Sequence, residues 1–276
     1  MAFSTLLTVL VLIHNTGGLL GAEVRSSIIG GKDAREGRWP GMVHLNLTDG
    51  KGVKWRCGGT ILNSQWVLTA ANCWEREPAP LWRRSFVAVG LDKLQKAGRR
   101  YMEIYTVMSN PAYNRVTYIN DIALVKLKKT VRFEKNVAPV SLDRADAFGP
   151  SSECWIVGWG YKGTNDPLPD PETLQELKIS IIPHSVCKAK YPALTSDQLC
   201  AGGVEAGGED ACQGDYGGPL MCRAADGGDV QVGIMSYGSP AGCGLPGRPG
   251  VYTKVFKYLS FIDAYTKQGK EAPAEV

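Results

Sequence analysis

Histidine is scarce in this chain: His14, His44 and His184 are the three present in 276 residues. No two cysteines have the C-x-x-C spacing and no histidines cluster, so no zinc site is expected, and no cofactor. Charge is modest too. Charged residues make up 21% of the chain and the formal net charge is +4. That is too weak to argue for nucleic acid, and no nucleic-acid partner is expected. Beyond the first residues there is no long apolar run, and Gly269–Val276 is a polar, flexible tail. Neither a membrane anchor nor a glycolipid-anchor signal is therefore expected. There is no internal repeat and no low-complexity segment. The 33 glycines and 16 prolines follow no Gly-X-Y period, which excludes collagen, and hydrophobic residues at 44% exclude disorder for most of the chain.

What is present points to an oxidising compartment. Residues 1–22 read as a secretory signal peptide: Leu6–Ile13 is a short apolar core, followed by the small residues Gly17, Gly18, Gly21 and Ala22. Residues 23–27 form a short propeptide-like stub, and the product is expected to be secreted and extracellular. Eight cysteines, an even number behind such a signal, read as four disulfides, although their count leaves the pairing open. Asn46-Leu47-Thr48 is a glycosylation sequon beside the turn-forming Asp49-Gly50.

Short apolar runs alternate with turn signals: Gly41–Leu47, Thr60–Leu68, Phe86–Gly90, Ile122–Leu127, Trp155–Trp159, Leu177–Ile182 and Val230–Tyr237. Ala123, Val125 and Leu127 alternate with Leu124, Lys126 and Lys128, the period of a half-buried strand. Many short strands of this kind predict an all-β barrel or sandwich. One helix is predicted, Val255–Gln268, with Tyr258, Phe261, Ile262 and Tyr265 on one face and Gly269 as its stop. Asp166–Pro171 reads as a Pro-rich surface loop.

Several stretches resemble the chymotrypsin/trypsin serine proteases, trypsin- and tryptase-like members above all. They are Ile28-Ile29-Gly30-Gly31; Cys57-Gly58-Gly59-Thr60 through Trp66-Val67-Leu68-Thr69-Ala70-Ala71-Asn72-Cys73; Asn120-Asp121-Ile122-Ala123-Leu124; Asp210 through Leu220; and Pro249-Gly250-Val251-Tyr252. They occur in order, at family-like spacing, from Ile28 to about Tyr265. The resemblance implies an all-β fold of two six-stranded antiparallel β-barrels, about 28–141 and 142–254, with a cleft between them and a C-terminal α-helix over 255–268. It also implies the bridges Cys57–Cys73, Cys154–Cys222, Cys187–Cys200 and Cys212–Cys243.

Two positions depart from the family pattern. Asn72 stands where the general-base histidine is expected, and Tyr216 where the nucleophilic serine is expected; Asp121 alone keeps its family identity. Peptide cleavage by this route needs a hydroxyl nucleophile and a base within hydrogen-bond reach of it. An amide does not titrate near neutrality. A phenol has an ordinary pKa of about 10 and reaches too far. Losing nucleophile and base together costs on the order of 10⁶ in turnover. Asp121 is then expected to be structural, bonded by Asn72 and Ser236, and Tyr216 to act as a plug or contact residue in the cleft.

Other family positions persist. Asp210, with Ser236, Gly238 and Gly250, matches the pocket that reads Arg or Lys in trypsin-like members. The resemblance gives Gly214 and Tyr216 the oxyanion N–H groups, and Asp215 the partner of a freed Ile28 amine. Here Arg25-Ser26-Ser27 precedes Ile28, so a trypsin-like activator is not expected to release Ile28 cleanly. The loop Gly90–Arg100 has one acid, Asp92, against Lys93, Lys96, Arg99 and Arg100, so no calcium site is expected. With Trp82-Arg83-Arg84 these cations offer a basic surface.

The expectation is a secreted, catalytically inactive serine protease homologue that binds a protein, peptide or surface partner: a protease, a protease substrate or an inhibitor. Two alternatives stand beside it. One is an active trypsin-like endopeptidase cleaving after Arg or Lys with an atypical site. The other is a polyanion-binding extracellular protein that uses the basic loops.

Overall fold

The computed structural model describes residues 28–95, 100–163, 165–203, 208 and 210–267. The signal and stub, the tail with Gly269, and Lys96 and Arg99 of the basic loop lie outside the described residues.

The strands are β1 (Lys32–Asp33), β2 (Met42–Thr48), β3 (Lys54–Ile61), β4 (Trp66–Thr69), β5 (Phe86–Val89), β6 (Arg100–Ser109) and β7 (Ala123–Leu127) in the first half. In the second half they are β8 (Ser141–Leu142), β9 (Cys154–Gly158), β10 (Gln175–Ile179), β11 (Ile181–Ile182), β12 (Gln198–Ala201), β13 (Pro219–Arg223), β14 (Asp229–Tyr237) and β15 (Gly250–Lys254).

Strands β2-β3-β4-β7-β6-β5 close into a barrel. Val43, Leu45 and Leu47 of β2 alternate into its interior and are wholly buried. Each such side chain contributes about 1.5–3 kcal/mol by leaving water. The run Thr60–Leu68 splits into β3 and β4 because Asn63 Oδ1 accepts the N–H groups of Gln65 (2.9 Å) and Trp66 (3.1 Å), which turns the chain. β7 is more buried than its alternation predicts. Leu124, expected on the wet face, is 0% exposed. Its cluster includes Val255, Tyr258 and Ile262, so the C-terminal segment covers that face.

The second half is a curled sheet in the order β1-β10-β9-β13-β14-β15-β12-β11, with β8 parallel to β14. Its first member comes from the N-terminal segment, which crosses over to pair with β10. The mostly β architecture with a short C-terminal helix is the predicted trypsin-like one. The helix is shorter than its periodicity suggests: Val255–Tyr258 is a 3₁₀ turn, and the α-helix runs Leu259–Thr266. Tyr258 donates from its hydroxyl to Asn120 Oδ1 (3.0 Å), and Tyr265 packs beside Trp66, so the predicted apolar face is the docked one. A further short helix, His184–Lys190, has no apolar period and was not foreseen.

All eight cysteines are paired as the resemblance implies. Cys57–Cys73 ties β3 to the turn that carries Asn72. Cys212–Cys243 ties together two loops of the second half. Among the described residues no helix is long and apolar enough to cross a membrane, and no cluster of His, Cys, Asp or Glu could hold a metal ion.

Candidate functional site

Three side chains from different parts of the chain meet between the two halves. Asn72 sits in the single 3₁₀ turn Ala71–Cys73 after β4. Asp121 immediately precedes Ile122 and β7. Tyr216 sits on the loop before β13.

Asp121 is fully buried, and a buried carboxylate must be hydrogen-bonded. The Asn72 backbone N–H donates to its Oδ1 at 2.8 Å and Asn72 Nδ2 to its Oδ2 at 2.7 Å. Ser236 Oγ donates to the same Oδ2. Burial pushes the Asp121 pKa up to about 7, while the Ser236 and Asn72 bonds oppose the rise. Asn72 Nδ2 also donates to the Ser236 carbonyl at 2.7 Å. Both amide protons are therefore committed to acceptors, and only Oδ1 is left, an oxygen that takes no proton near neutrality.

Tyr216 lies where the chain turns sharply. Gly214 has φ +98° and Gly217 φ +80°, and a Cβ on Gly217 would meet Thr69 Oγ1 at 2.2 Å and the Gly58 carbonyl at 2.6 Å. Those close approaches require glycine. The Tyr216 carbonyl accepts from Gly58 N–H at 2.8 Å, pinning the loop to the first barrel. The N–H groups of Gly214 and Tyr216 make no hydrogen bond among the described residues. The Tyr216 ring is partly buried against the cores of both halves. Burial first, then the Asp210 and Asp215 carboxylates, raise its phenol to about 12.

Two adjoining hollows lie along the cleft. One, about 630 Å³, lies towards Lys54, Trp55 and Arg56. The other, about 970 Å³, lies towards Tyr118, Tyr191 and Tyr237. Asn72, Arg76 and Tyr216 line both, so they form the ridge between them. Arg76 is stacked over the Trp55 ring at 4.2 Å. Tyr118 and Tyr237 have ring centroids 5.0 Å apart, and Tyr191 meets Tyr237 edge-on at 5.8 Å. This aromatic wall and Arg76 were missed in the sequence, because residues scattered over three loops and the end of β14 leave no periodic signal.

Asp210 is 1% exposed. Its Oδ2 accepts Gly244 N–H at 3.1 Å, while Oδ1 is buried without a hydrogen-bond partner. Burial pushes its carboxyl up to about 7. A Cβ on Gly250 would lie 2.9 Å from that Oδ1, whereas one on Gly238 would lie 3.8 Å from Oδ2, an ordinary contact. Among the described residues Asp210 lines neither hollow, although Gly238 and Ser236 line the larger one.

Asp215 accepts Gly160 N–H (2.8 Å) at Oδ1 and Cys212 N–H (3.0 Å) at Oδ2. Burial again raises its pKa to about 7. Glycine is required at 158 and 160, where a Cβ would lie 1.9 and 2.2 Å from its oxygens. Ile28 is wholly buried in the second core, and Ile29 pairs with Asp210 through an isolated bridge. In the intact chain the Ile28 nitrogen is a peptide nitrogen and carries no charge to set against Asp215.

Asn46 is half-buried on β2 and lines the smaller hollow. The two remaining histidines are elsewhere. His44 is buried edge-on against Trp159 at 5.8 Å, and His184 is exposed at the start of the short helix.

Comparison with known proteins agrees with this geometry. The trypsin family matches residues 28–262. The chain is 37% identical to testisin of Homo sapiens over 262 residues, covering 89% of this chain and 80% of testisin. It is 36% identical to tryptase of Mus musculus over 266 residues, 92% of this chain and 93% of tryptase. It is 32% identical to coagulation factor XI of Bos taurus over 267 residues, 91% of this chain and 42% of that longer protein. With its closed barrel, curled second sheet and four bridges in the family arrangement, the chain belongs to the trypsin-like serine protease family.

Proposed function

We propose that this protein is a secreted, non-catalytic member of that family whose work is binding. The observation that carries the reading is the state of Asn72. Both of its amide protons are engaged, by Asp121 and by the Ser236 carbonyl, so nothing at that position can accept a proton from a hydroxyl. Tyr216 adds to it. A phenol raised to about 12 is a weaker acid than free tyrosine, the opposite of an activated nucleophile.

The same ring supports a closed specificity pocket. Tyr216 is close enough to Asp210 for the carboxylate to raise its pKa, and the unpartnered Asp210 Oδ1 opens onto neither hollow. On this reading the cleft does not admit an arginine side chain. It offers a partner two shallow hollows either side of Tyr216.

The test is direct. The processed protein, purified from a secreting host, is assayed on Arg- and Lys-amide substrates and with a serine-directed fluorophosphonate. Neither turnover nor labelling is expected. Turnover that co-purifies with the chain and vanishes in Tyr216→Phe would establish an active enzyme with an atypical site instead.

A further inference from the structure

The outer wall of the first barrel carries a group of exposed rings that the cleft does not use. Tyr101 and Tyr105 project from the outward face of β6 on either side of Glu103, and are 48% and 63% exposed. Phe86 of β5 stands opposite Glu103, with its ring 6.0 Å from that of Tyr101. Trp82, in the 3₁₀ turn before β5, is 41% exposed. Trp82, Tyr105 and Met108 line a hollow of about 600 Å³, with Arg83 and Lys128 also on its wall. Singly exposed rings are ordinary; four on one wall form a patch of the kind that marks a contact site.

Cations outnumber acids around these rings, and at the near end of β6 Arg100 is paired with Glu134. Glu103 is the acid among them. It pairs with Lys128 at 2.9 Å, and Lys129 is near enough to lower its pKa further. Lys126 lies over the Tyr105 ring at 5.8 Å and the Trp66 ring at 5.5 Å. Among the described residues neither Lys126 nor Arg83 has a carboxylate partner. Beside the Glu103–Lys128 pair stand three more cations, Lys126, Lys129 and Arg83.

We propose that this wall is a docking surface for an acidic segment of a partner polypeptide, one that brings an aromatic or aliphatic side chain as its anchor. The cations draw carboxylates, and the hollow beside Trp82 and Tyr105 takes the anchor. Trp, Tyr and Arg around such a hollow are the residue types that carry most binding energy at protein interfaces. A sulfated glycan would satisfy the cations but has no apolar side chain for the hollow. The site shares no lining residue with the two cleft hollows, so it stands whether or not the cleft is catalytic.

The experiment is selection of a displayed random heptapeptide library on the full processed chain, followed by titration of the best synthetic peptides. Enriched sequences are expected to combine two or more Asp or Glu with one aromatic or branched aliphatic residue. Their affinity is expected to fall about tenfold or more in Trp82→Ala/Tyr105→Ala, and similarly in Arg83→Gln/Lys126→Gln. It should also weaken with added salt and stay unchanged in Tyr216→Gly. Trp82, Arg83 and Tyr105 are exposed and Lys126 is half-buried, and matching melting temperatures verify that the variants fold. Selection that enriches no acidic peptides, or peptides that bind these variants undiminished, overturns the proposal. So does a heparin oligosaccharide that competes through the cations while Trp82 and Tyr105 are dispensable; the wall is then a polyanion site.

Discussion

If Asn72 and Tyr216 alone silence the site, restoring the family residues should restore chemistry. Asn72 Nδ2 lies 2.7 Å from Asp121 Oδ2. An imidazole in Asn72→His can place Nδ1–H on that oxygen and turn Nε2 towards the cleft, the geometry of a general base. The other supports of Asp121, Ser236 Oγ and the residue-72 backbone N–H, are untouched. Tyr216→Ser removes the ring from the ridge and leaves the N–H groups of residues 214 and 216, which bond no described residue, available to a reacting carbonyl. Ser27→Arg lets immobilised trypsin free Ile28, and is removed with its beads before assay. Base and nucleophile act as a unit worth about 10⁶ in turnover, so each reversion alone should give nothing measurable. The triple variant, once cut, should hydrolyse an Arg-nitroanilide at least ~10³-fold faster than the parent, a partial recovery, and should label with a fluorophosphonate. Activity in Asn72→His alone would make Tyr216 the nucleophile and refute the reasoning. So would a folded, cut triple variant that binds benzamidine yet stays inert, because the defect would then lie outside these two side chains.

Four further outcomes are expected. Calorimetry should find benzamidine binding to the unaltered protein in the millimolar range or weaker (~4 kcal/mol or less), and tightening about tenfold or more in Tyr216→Gly; micromolar binding by the parent would refute the closed pocket. Amino-terminal sequencing of secreted material should begin near Glu23, or at Ser26 if Arg25 is cut, and mostly Ile28 would contradict this. Stability should fall as pH rises from about 4 to about 7: Asp121, Asp210 and Asp215 are each raised to about 7 by burial, so in that window the folded chain holds protons that the unfolded chain has released. Urea midpoints that rise over this range would refute those shifts, and Asp210→Asn should flatten the slope. Finally, glycosidase treatment should lower the mass of the secreted protein, and Asn46→Gln should abolish the difference; equal masses would remove the glycan.

Much of the fold was legible because the signals that specify it are local. The run Met42–Thr48 declares its buried face by alternation, and Tyr258, Phe261, Ile262 and Tyr265 declare the docked face of the last helix. What was not legible depended on packing. Leu124 alternates as a solvent-facing residue and is buried only because the C-terminal segment returns over it. The apolar run at Leu177–Ile182 is broken into β10 and β11 at Ser180, which carries no turn signal of its own. In the site, Asn72, Asp121 and Tyr216 were found by motif, and the fold brings them together. The ring contact of Tyr118 with Tyr237 was not found, since residues so far apart along the chain meet only through the fold.

The residues that keep their family identity and those that depart from it divide on physical grounds. Asp121 is dry and needs donors. Asn72 supplies two of them, one from its backbone and one from its side chain, and the Ser236 hydroxyl supplies a third. An amide is as good as an imidazole for that work, so the exchange leaves no buried charge unsatisfied. Asp215 is held by backbone N–H groups that exist whatever the chemistry, and its neighbours at 158 and 160 must be glycine for want of space. Gly250 is fixed by the same contact with Asp210. None of these can change without cost to the folded state. Accepting a proton and presenting a short hydroxyl are different: the fold needs neither. On the reading proposed, Asn72 and Tyr216 therefore lack what only catalysis requires, while the ring at 216 packs against the cores of both halves. On the reading proposed, a fold preserved this carefully around a silent centre is a scaffold kept for its surfaces.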